Sequence, residues 1–239
     1  MAGTGSQVSR ENTTQNRLRT PRAAAVAGIL FSILLITSQL LVWISLPPNE
    51  GAAASEVLNQ SRRISLALNL LPFAGIAFLW FIAVVRDRLG AMEDRFFATV
   101  FLGSGLLYIA MTFTSAALAG GLIRVLSSSP EVLGQTGAYA LSRAQIYQTM
   151  NIYGIKMAGV FMFSTSTILL RTGIVRRWVP FLGYALGVVL LLSIGIIVWI
   201  PLVFPVWVFL VSTAVLLEKR SRVVKTAGVE ASAAADSRR

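Results

Sequence analysis

One charged side chain lies inside an apolar segment that is long enough to cross a lipid bilayer. The segment covers residues 144–170, and the charge is Lys156, near its middle. Inserting an ionisable group into hydrocarbon costs about 3 kcal/mol or more, so such a residue marks a site unless its long side chain reaches the interface. No predicted span carries an Asp or Glu to pair with it. The expected partner is therefore a carbonyl, a hydroxyl, water, a lipid phosphate or an anionic ligand, or else the amine is partly uncharged.

Other polar residues are expected at a similar depth in the membrane. At about 100° per residue, Tyr153 and Lys156 share one face of this segment with Thr149, and Asn151 falls on the opposite face. An earlier apolar segment carries a hydroxyl stripe at helical spacing, formed by Ser104, Tyr108, Thr112 and Ser115. These patterns predict a pocket open to the outside, with Lys156 toward its floor. The candidate ligand-binding residues are Lys156, Tyr153, Asn151, Thr149, Thr112, Ser115, Tyr108 and Asn69.

The same residues have a second interpretation, in which they only form hydrogen bonds that hold the helices together. Small residues support close packing in either case. Gly154 and Ala158 are one such pair, and Gly183 and Gly187 form a GxxxG pattern that favours a close contact between helices.

Several kinds of chemistry are excluded by composition. The chain has no Cys and no His, which removes thiolate zinc sites, iron–sulfur clusters, disulfides, His-ligated haem and His-activated nucleophiles. The stretch Leu102-Gly103-Ser104-Gly105 resembles the serine motif of rhomboid-type intramembrane proteases, but its first glycine is replaced by Leu102 and the base is missing. We therefore expect no catalytic residues, no bound metal and no cofactor.

The hydropathy pattern predicts an all-α, polytopic membrane protein. The chain is 55% apolar with a mean hydropathy of +0.72. Pro201 and Pro205 favour the first turn of a new helix, which divides the last forty apolar residues into two spans. We predict a disordered basic arm over residues 1–22, one six-helix bundle over 23–217 and a basic, largely disordered tail over 218–239. The predicted spans are residues 23–46, 64–85, 96–122, 144–170, 178–199 and 202–217.

The distribution of basic residues predicts the orientation. Sixteen Lys and Arg residues fall in the N-terminal arm, the second and fourth loops and the C-terminal tail, and four fall in the other loops. Because basic residues stay on the cytoplasmic side, both termini are expected in the cytoplasm, in a bacterial cytoplasmic membrane. Five tryptophans fit an aromatic belt at the two interfaces: Trp43, Trp199 and Trp207 outside, and Trp80 and Trp178 inside.

The net charge of +11 points to lipid rather than to nucleic acid. The basic residues flank apolar segments and do not gather on one face, so we expect membrane lipids as partners, with anionic headgroups at the cytoplasmic face. A homo-oligomer or an unidentified membrane partner is also open.

Two stretches resemble a group of bacterial multi-pass membrane proteins to which no activity is assigned. They are residues 78–111, FLWFIAVVRDRLGAMEDRFFATVFLGSGLLYIAM, and residues 171–190, RTGIVRRWVPFLGYALGVVL. The resemblance implies a six-helix architecture, and it implies no cofactor and no site.

Three functions stay open from the sequence. The first is binding or transport of a small anionic or lipid ligand through the outer pocket. The second is a non-catalytic scaffold or accessory subunit. The third, a lipid-modifying enzyme, is the least favoured, because no acid, base or nucleophile is arranged within the spans.

Overall fold

The computed structural model describes residues 4–45, 59–89, 95–128, 137–173, 175–193 and 199–217. Within these ranges the protein is helical, as predicted. The helices are α1 Thr4–Ser45, α2 Ser61–Leu89, α3 Arg95–Ser128, α4 Ala138–Thr172, α5 Trp178–Leu192 and α6 Ile200–Leu217. All except α5 are long and apolar enough to cross a membrane, which gives five candidate spans. The fold is thus a helical bundle of the membrane-protein type, and we call the end near Arg171 and Trp178 the inner end.

The first helix is longer than the sequence suggests. The predicted disordered arm covers residues 1–22, whereas α1 begins at Thr4 and continues without a break into the apolar span Ala23–Val42. Extending an existing helix adds one hydrogen bond per residue without the cost of a new nucleus, so the apolar span can carry a polar extension. The predicted tail over residues 218–239 lies outside the described residues.

The fifth helix is shorter than the predicted span over residues 178–199. It ends at Leu192, and Ser193 is already extended, with φ −60° and ψ 130°. Its 15 residues rise only about 22 Å, which is less than the hydrocarbon thickness of about 30 Å. By contrast, α6 begins at Ile200 with Pro201 in its first turn, where the prolines predict a new helix.

An aromatic cluster holds five of the helices together, with Phe78 of α2 at its centre. The Phe78 ring stacks on Phe31 of α1 at 4.4 Å between centroids and lies 5.1 Å from Phe161 of α4. It also meets Phe204 of α6 at 5.7 Å and Tyr108 of α3 at 5.9 Å, both in edge-to-face geometry. All five rings are buried, so this cluster is the core of the inner part of the bundle.

A second, smaller core lies at the outer end. Ile64 of α2 and Leu122 and Leu126 of α3 are buried together, and Ile146 of α4 packs against them. This core has few members, so the outer end rests on much less packing than the aromatic cluster.

Candidate functional site

Lys156 is bound to the end of α5. Its ammonium Nζ donates to the carbonyl oxygen of Leu191 at 2.9 Å and to that of Ser193 at 3.5 Å. The second distance is at the long limit for such a bond, so the bond to Leu191 is the stronger one. The lysine is half-buried. A backbone carbonyl is therefore the partner that the structure gives this charge, from the set that the sequence leaves open.

A glycine contact brings α4 and α5 close enough for this pairing. A Cβ added to Gly159, one turn after Lys156, would lie 3.1 Å from the carbonyl oxygen of Gly187, and one on Gly187 would lie 3.3 Å from that of Gly159. The two backbones therefore touch where neither residue has a side chain. The close contact predicted from Gly183 and Gly187 is confirmed.

The pairing is favourable because the end of a helix needs hydrogen-bond donors. The last four carbonyls of a helix have no partner within it, and they carry the negative end of the helix dipole. In hydrocarbon no water replaces the missing donors. The ammonium of Lys156 donates two of its three N–H groups to carbonyls at the end of α5, and its positive charge offsets the negative end of the helix dipole. The lysine and the helix end thus compensate for each other inside the bundle.

The middle of α4 is a π-helical turn, Gln148–Gly154. After it, the N–H of Ile155 donates to the carbonyl of Met150, five residues back. A π turn holds more residues than an α turn, so it rotates the remainder of the helix relative to the expectation of about 100° per residue. The prediction that Thr149, Tyr153 and Lys156 share one face depends on that expectation. Because of the π turn, their angular positions around the helix differ from the predicted ones.

The hydroxyl stripe of α3 lies against this turn. Ser115 Oγ donates to the carbonyl of Ile146 at 3.2 Å, just before the π turn. Thr112 Oγ1 donates to the carbonyl of Tyr108 at 2.9 Å and is 3.8 Å from the sulfur of Met150. Tyr108 and Ser104 of the same stripe are buried. The structure therefore brings α3 and α4 together along the predicted stripe.

The remaining candidates do not gather around the lysine. Tyr153 is 61% exposed, and Asn69 of α2 is exposed as well. Asn151 donates to the carbonyl of Tyr147 at 3.3 Å, and Thr149 donates to that of Gln145 at 2.8 Å. These two side chains bond to their own helix. An open groove of about 410 Å³ lies between α3 and α4, lined by Leu118, Leu141, Ala144, Gln145, Gln148 and Thr149.

The inner half of the bundle holds polar residues that lie outside the predicted outer pocket. Ser164, Thr165 and Ser166 of α4 are buried, and Thr167 Oγ1 forms a hydrogen bond of 2.7 Å with the hydroxyl of Tyr184 on α5. The run of hydroxyls at residues 164–167 is the sequence signal that could have found this region. Serine and threonine can also bond to their own helix, as Thr165 does to the carbonyl of Phe161 at 2.7 Å, so the run alone is ambiguous.

Trp207 is the clearest difference from the predicted aromatic belt. It is 1% exposed and packs in the core, whereas the belt places it at the outer interface. Trp199, Trp80 and Trp178 are exposed, as interfacial residues would be. Trp207 is buried because its indole packs over Gly183 of α5, where a side chain would collide with the ring.

Comparisons with known proteins add no assignment, since no family model, no curated protein and no solved structure matches the chain. Within the described ranges, no group of three or more His, Cys, Asp or Glu side chains forms that could hold a metal ion.

Proposed function

We propose that this protein is a non-catalytic membrane scaffold or accessory subunit. The observation that carries the proposal is the pairing of Lys156 with the carbonyl end of α5. Lys156, the charge expected to bind a ligand, instead joins α4 to the end of α5. The hydroxyl of Ser115 likewise donates to a backbone carbonyl of another helix, that of Ile146 on α4, and the hydroxyl of Thr112 donates to the carbonyl of Tyr108 on its own helix. Among the described candidates, these hydroxyls and Lys156 are therefore engaged with the backbone, which supports a structural role.

Electrostatics supports the same choice. An anion at Lys156 would lie next to the carbonyls of Leu191 and Ser193 and at the negative end of the α5 dipole. Both features oppose the binding of negative charge, and the lysine already balances them. An anion would bind there only by displacing the ammonium from α5.

Binding or transport of a small anionic or lipid ligand is the second candidate. It is favoured by one observation, the end of α5 at Leu192, because interrupted spans often line the sites of transporters. Lys156 is also only half-buried, and two carbonyls leave its third N–H group for another acceptor.

Ligand retention separates the two candidates. Wild type, Lys156→Met, Lys156→Arg and the control Arg124→Met would be purified gently and compared by native mass spectrometry. Arg124 is an exposed basic residue of α3, so the control removes a positive charge without touching α5. A scaffold predicts the same bound species for all four proteins. Loss of an anionic species in Lys156→Met, with partial retention in Lys156→Arg, would refute the scaffold proposal and support ligand binding.

Thermal unfolding of the same proteins tests the structural role of the lysine. Lys156→Met removes the donors from two carbonyls, so we expect it to lower the free energy of unfolding by about 1–2 kcal/mol. Lys156→Arg should restore part of this loss, and Arg124→Met should have little effect. An unchanged or higher stability of Lys156→Met would mean that the lysine is only a tolerated charge.

The proposal includes six spans with both termini in the cytoplasm of a bacterial cell. The basic bias of the loops supports it, and α5 and α6 then form a hairpin whose link faces outward. Reporter fusions at residue 239, within residues 127–135 and within residues 194–198 test the topology. The first should report inside and the other two outside. The same side for the first two would refute the orientation.

Lipid is the proposed partner at the inner end. Arg176 and Arg177 are exposed there, and the guanidinium of Arg171 lies 4.8 Å from the centre of the Phe97 ring. These arginines suit anionic headgroups. The proposal also includes assembly with a second copy or with another membrane protein. Light scattering of the purified protein in detergent measures whether two copies associate.

A further inference from the structure

Among the buried polar groups that lack a hydrogen-bond partner, two lie close together in the inner half of the bundle. They are the hydroxyl of Ser166 on α4 and the indole N–H of Trp207 on α6. Ser166 is 0% exposed and Trp207 is 1% exposed, so neither reaches lipid or solvent. Buried polar groups in proteins are nearly always paired with other protein groups or with ordered water. Two unpaired groups in the described core therefore call for an occupant that both can reach.

Gly183 of α5 brings these two groups to one place. A Cβ on Gly183 would touch Ser166 Oγ and would lie 2.9 Å from Trp207 Nε1. The hydroxyl and the indole nitrogen thus border the same point, at which α4, α5 and α6 meet. They form no hydrogen bond with each other.

Their chemistry identifies the occupant. The indole N–H can only donate, and the serine hydroxyl can both donate and accept. A water molecule can accept from Trp207 and donate to Ser166, which satisfies both groups at once. The atoms nearest to the point belong to Ser166 and Trp207, which carry no charge, so these two groups favour a neutral molecule over an ion.

We infer that Ser166, Gly183 and Trp207 form an internal site for one water molecule, which joins α4, α5 and α6. The site does not depend on the proposed scaffold function.

Nuclear magnetic resonance of the full chain with ¹⁵N-labelled tryptophan tests the site. The chain has five tryptophans, so Trp207→Phe identifies the Trp207 indole signal by its loss. We expect a cross-peak between that indole proton and the water resonance. A soluble paramagnetic agent should broaden the exposed Trp178 and leave Trp207 sharp, because the bound water is internal.

Two matched variants decide whether the serine holds the water. Ser166→Ala removes one of the two partners and should abolish the cross-peak or weaken it several-fold. Ser164→Ala is the control on the same helix, because the Ser164 hydroxyl is buried but already donates to the carbonyl of Val160 at 3.0 Å. It should leave the cross-peak unchanged.

Gly183→Ala provides a further arm, since its methyl group would compete for the same space. If this variant folds, the cross-peak should be lost; if it does not fold, the serine pair still decides the question. A wild-type protein without the cross-peak would overturn the inference. So would a cross-peak that Ser166→Ala leaves intact.

Discussion

The two ends of α4 differ in almost every structural respect. The inner part, Ile155–Thr172, has ten buried residues, and the outer part, Ala138–Tyr147, has none. The inner part packs its Phe161 into the aromatic cluster and its Gly159 against α5. The outer part contributes only the partly buried Ala138, Tyr139 and Ile146 to the small outer core, and its Leu141, Ala144 and Gln145 border the open groove. A π turn separates the two.

This difference shows that polar residues do not by themselves indicate a site. The outer part and the adjoining π turn carry polar side chains of the kind that suggest a pocket, but Gln145 and Gln148 line an open groove, and Thr149 bonds to its own helix. The inner part carries buried hydroxyls at residues 164–166, and its half-buried Thr167 joins α4 to Tyr184 of α5. The inner part therefore provides most of the packing of α4, whereas the outer part leaves most of its side chains accessible.

The largest expected effect comes from the aromatic cluster. Phe78→Ala removes a ring that contacts five others and leaves a cavity in the core, so the free energy of unfolding should fall by about 3–4 kcal/mol. Leu141→Ala, at an exposed position of outer α4, should change it by less than about 0.5 kcal/mol. Reversible unfolding in detergent measures both. Similar losses for the two variants would contradict the contrast between the ends of α4.

The glycine contact between α4 and α5 comes next. Gly159→Leu would push against the backbone of α5 at Gly187, which cannot move without separating the helices, so we expect a loss of about 2–3 kcal/mol. The control is Gly103→Leu on α3, where an added Cβ meets nothing within 4 Å. Thermal unfolding of the two variants should show a much lower midpoint for Gly159→Leu. Equal midpoints would mean that the contact is loose.

Much of the fold could be predicted from the sequence, because spans and helix starts depend on local properties. Apolar length gives the spans, and Pro201 marks the start of α6. The end of α5 at Leu192 differs from the predicted span, and the donor to its last carbonyls, Lys156, comes from another helix, which local sequence does not specify. The π turn and the burial of Trp207 likewise depend on packing with α3 and α5.

The site could be predicted only in part for the same reason. The charge of Lys156 marks it as a residue that needs a partner, and the sequence includes a carbonyl among the choices. The prediction that Tyr153 lies beside Lys156 assumes a regular α-helix, whereas α4 is π-helical at Tyr153. Asn69 is a polar residue at the predicted depth, but its exposure depends on how α2 is rotated in the bundle.

A smaller effect is expected from the hydrogen bond between Thr167 and Tyr184 in the inner part. Hydrogen bonds between membrane helices contribute about 0.6 kcal/mol on average, so Thr167→Val and Tyr184→Phe should show a coupling of this size in a double-mutant cycle. Each single variant should also lower the unfolding midpoint slightly. Strictly additive losses would show that the two hydroxyls do not interact.

The smallest expected effect is at the π turn. Ser115 Oγ donates to the carbonyl of Ile146 and so ties the outer part of α4 to α3. Ser115→Ala should cost only about 0.5 kcal/mol, at the low end for a hydrogen bond, since one bond of 3.2 Å is lost and the carbonyl stays in its helix. Ser127→Ala is the matched control, because that hydroxyl is exposed and donates only to its own helix, to Ile123. Hydrogen exchange gives the sharper readout: in Ser115→Ala the amides of residues 148–154 should exchange faster, and those of 161–169 should not change. If both stretches changed together, the two parts of α4 would open as one unit, and the boundary between them at the π turn would have no energetic meaning.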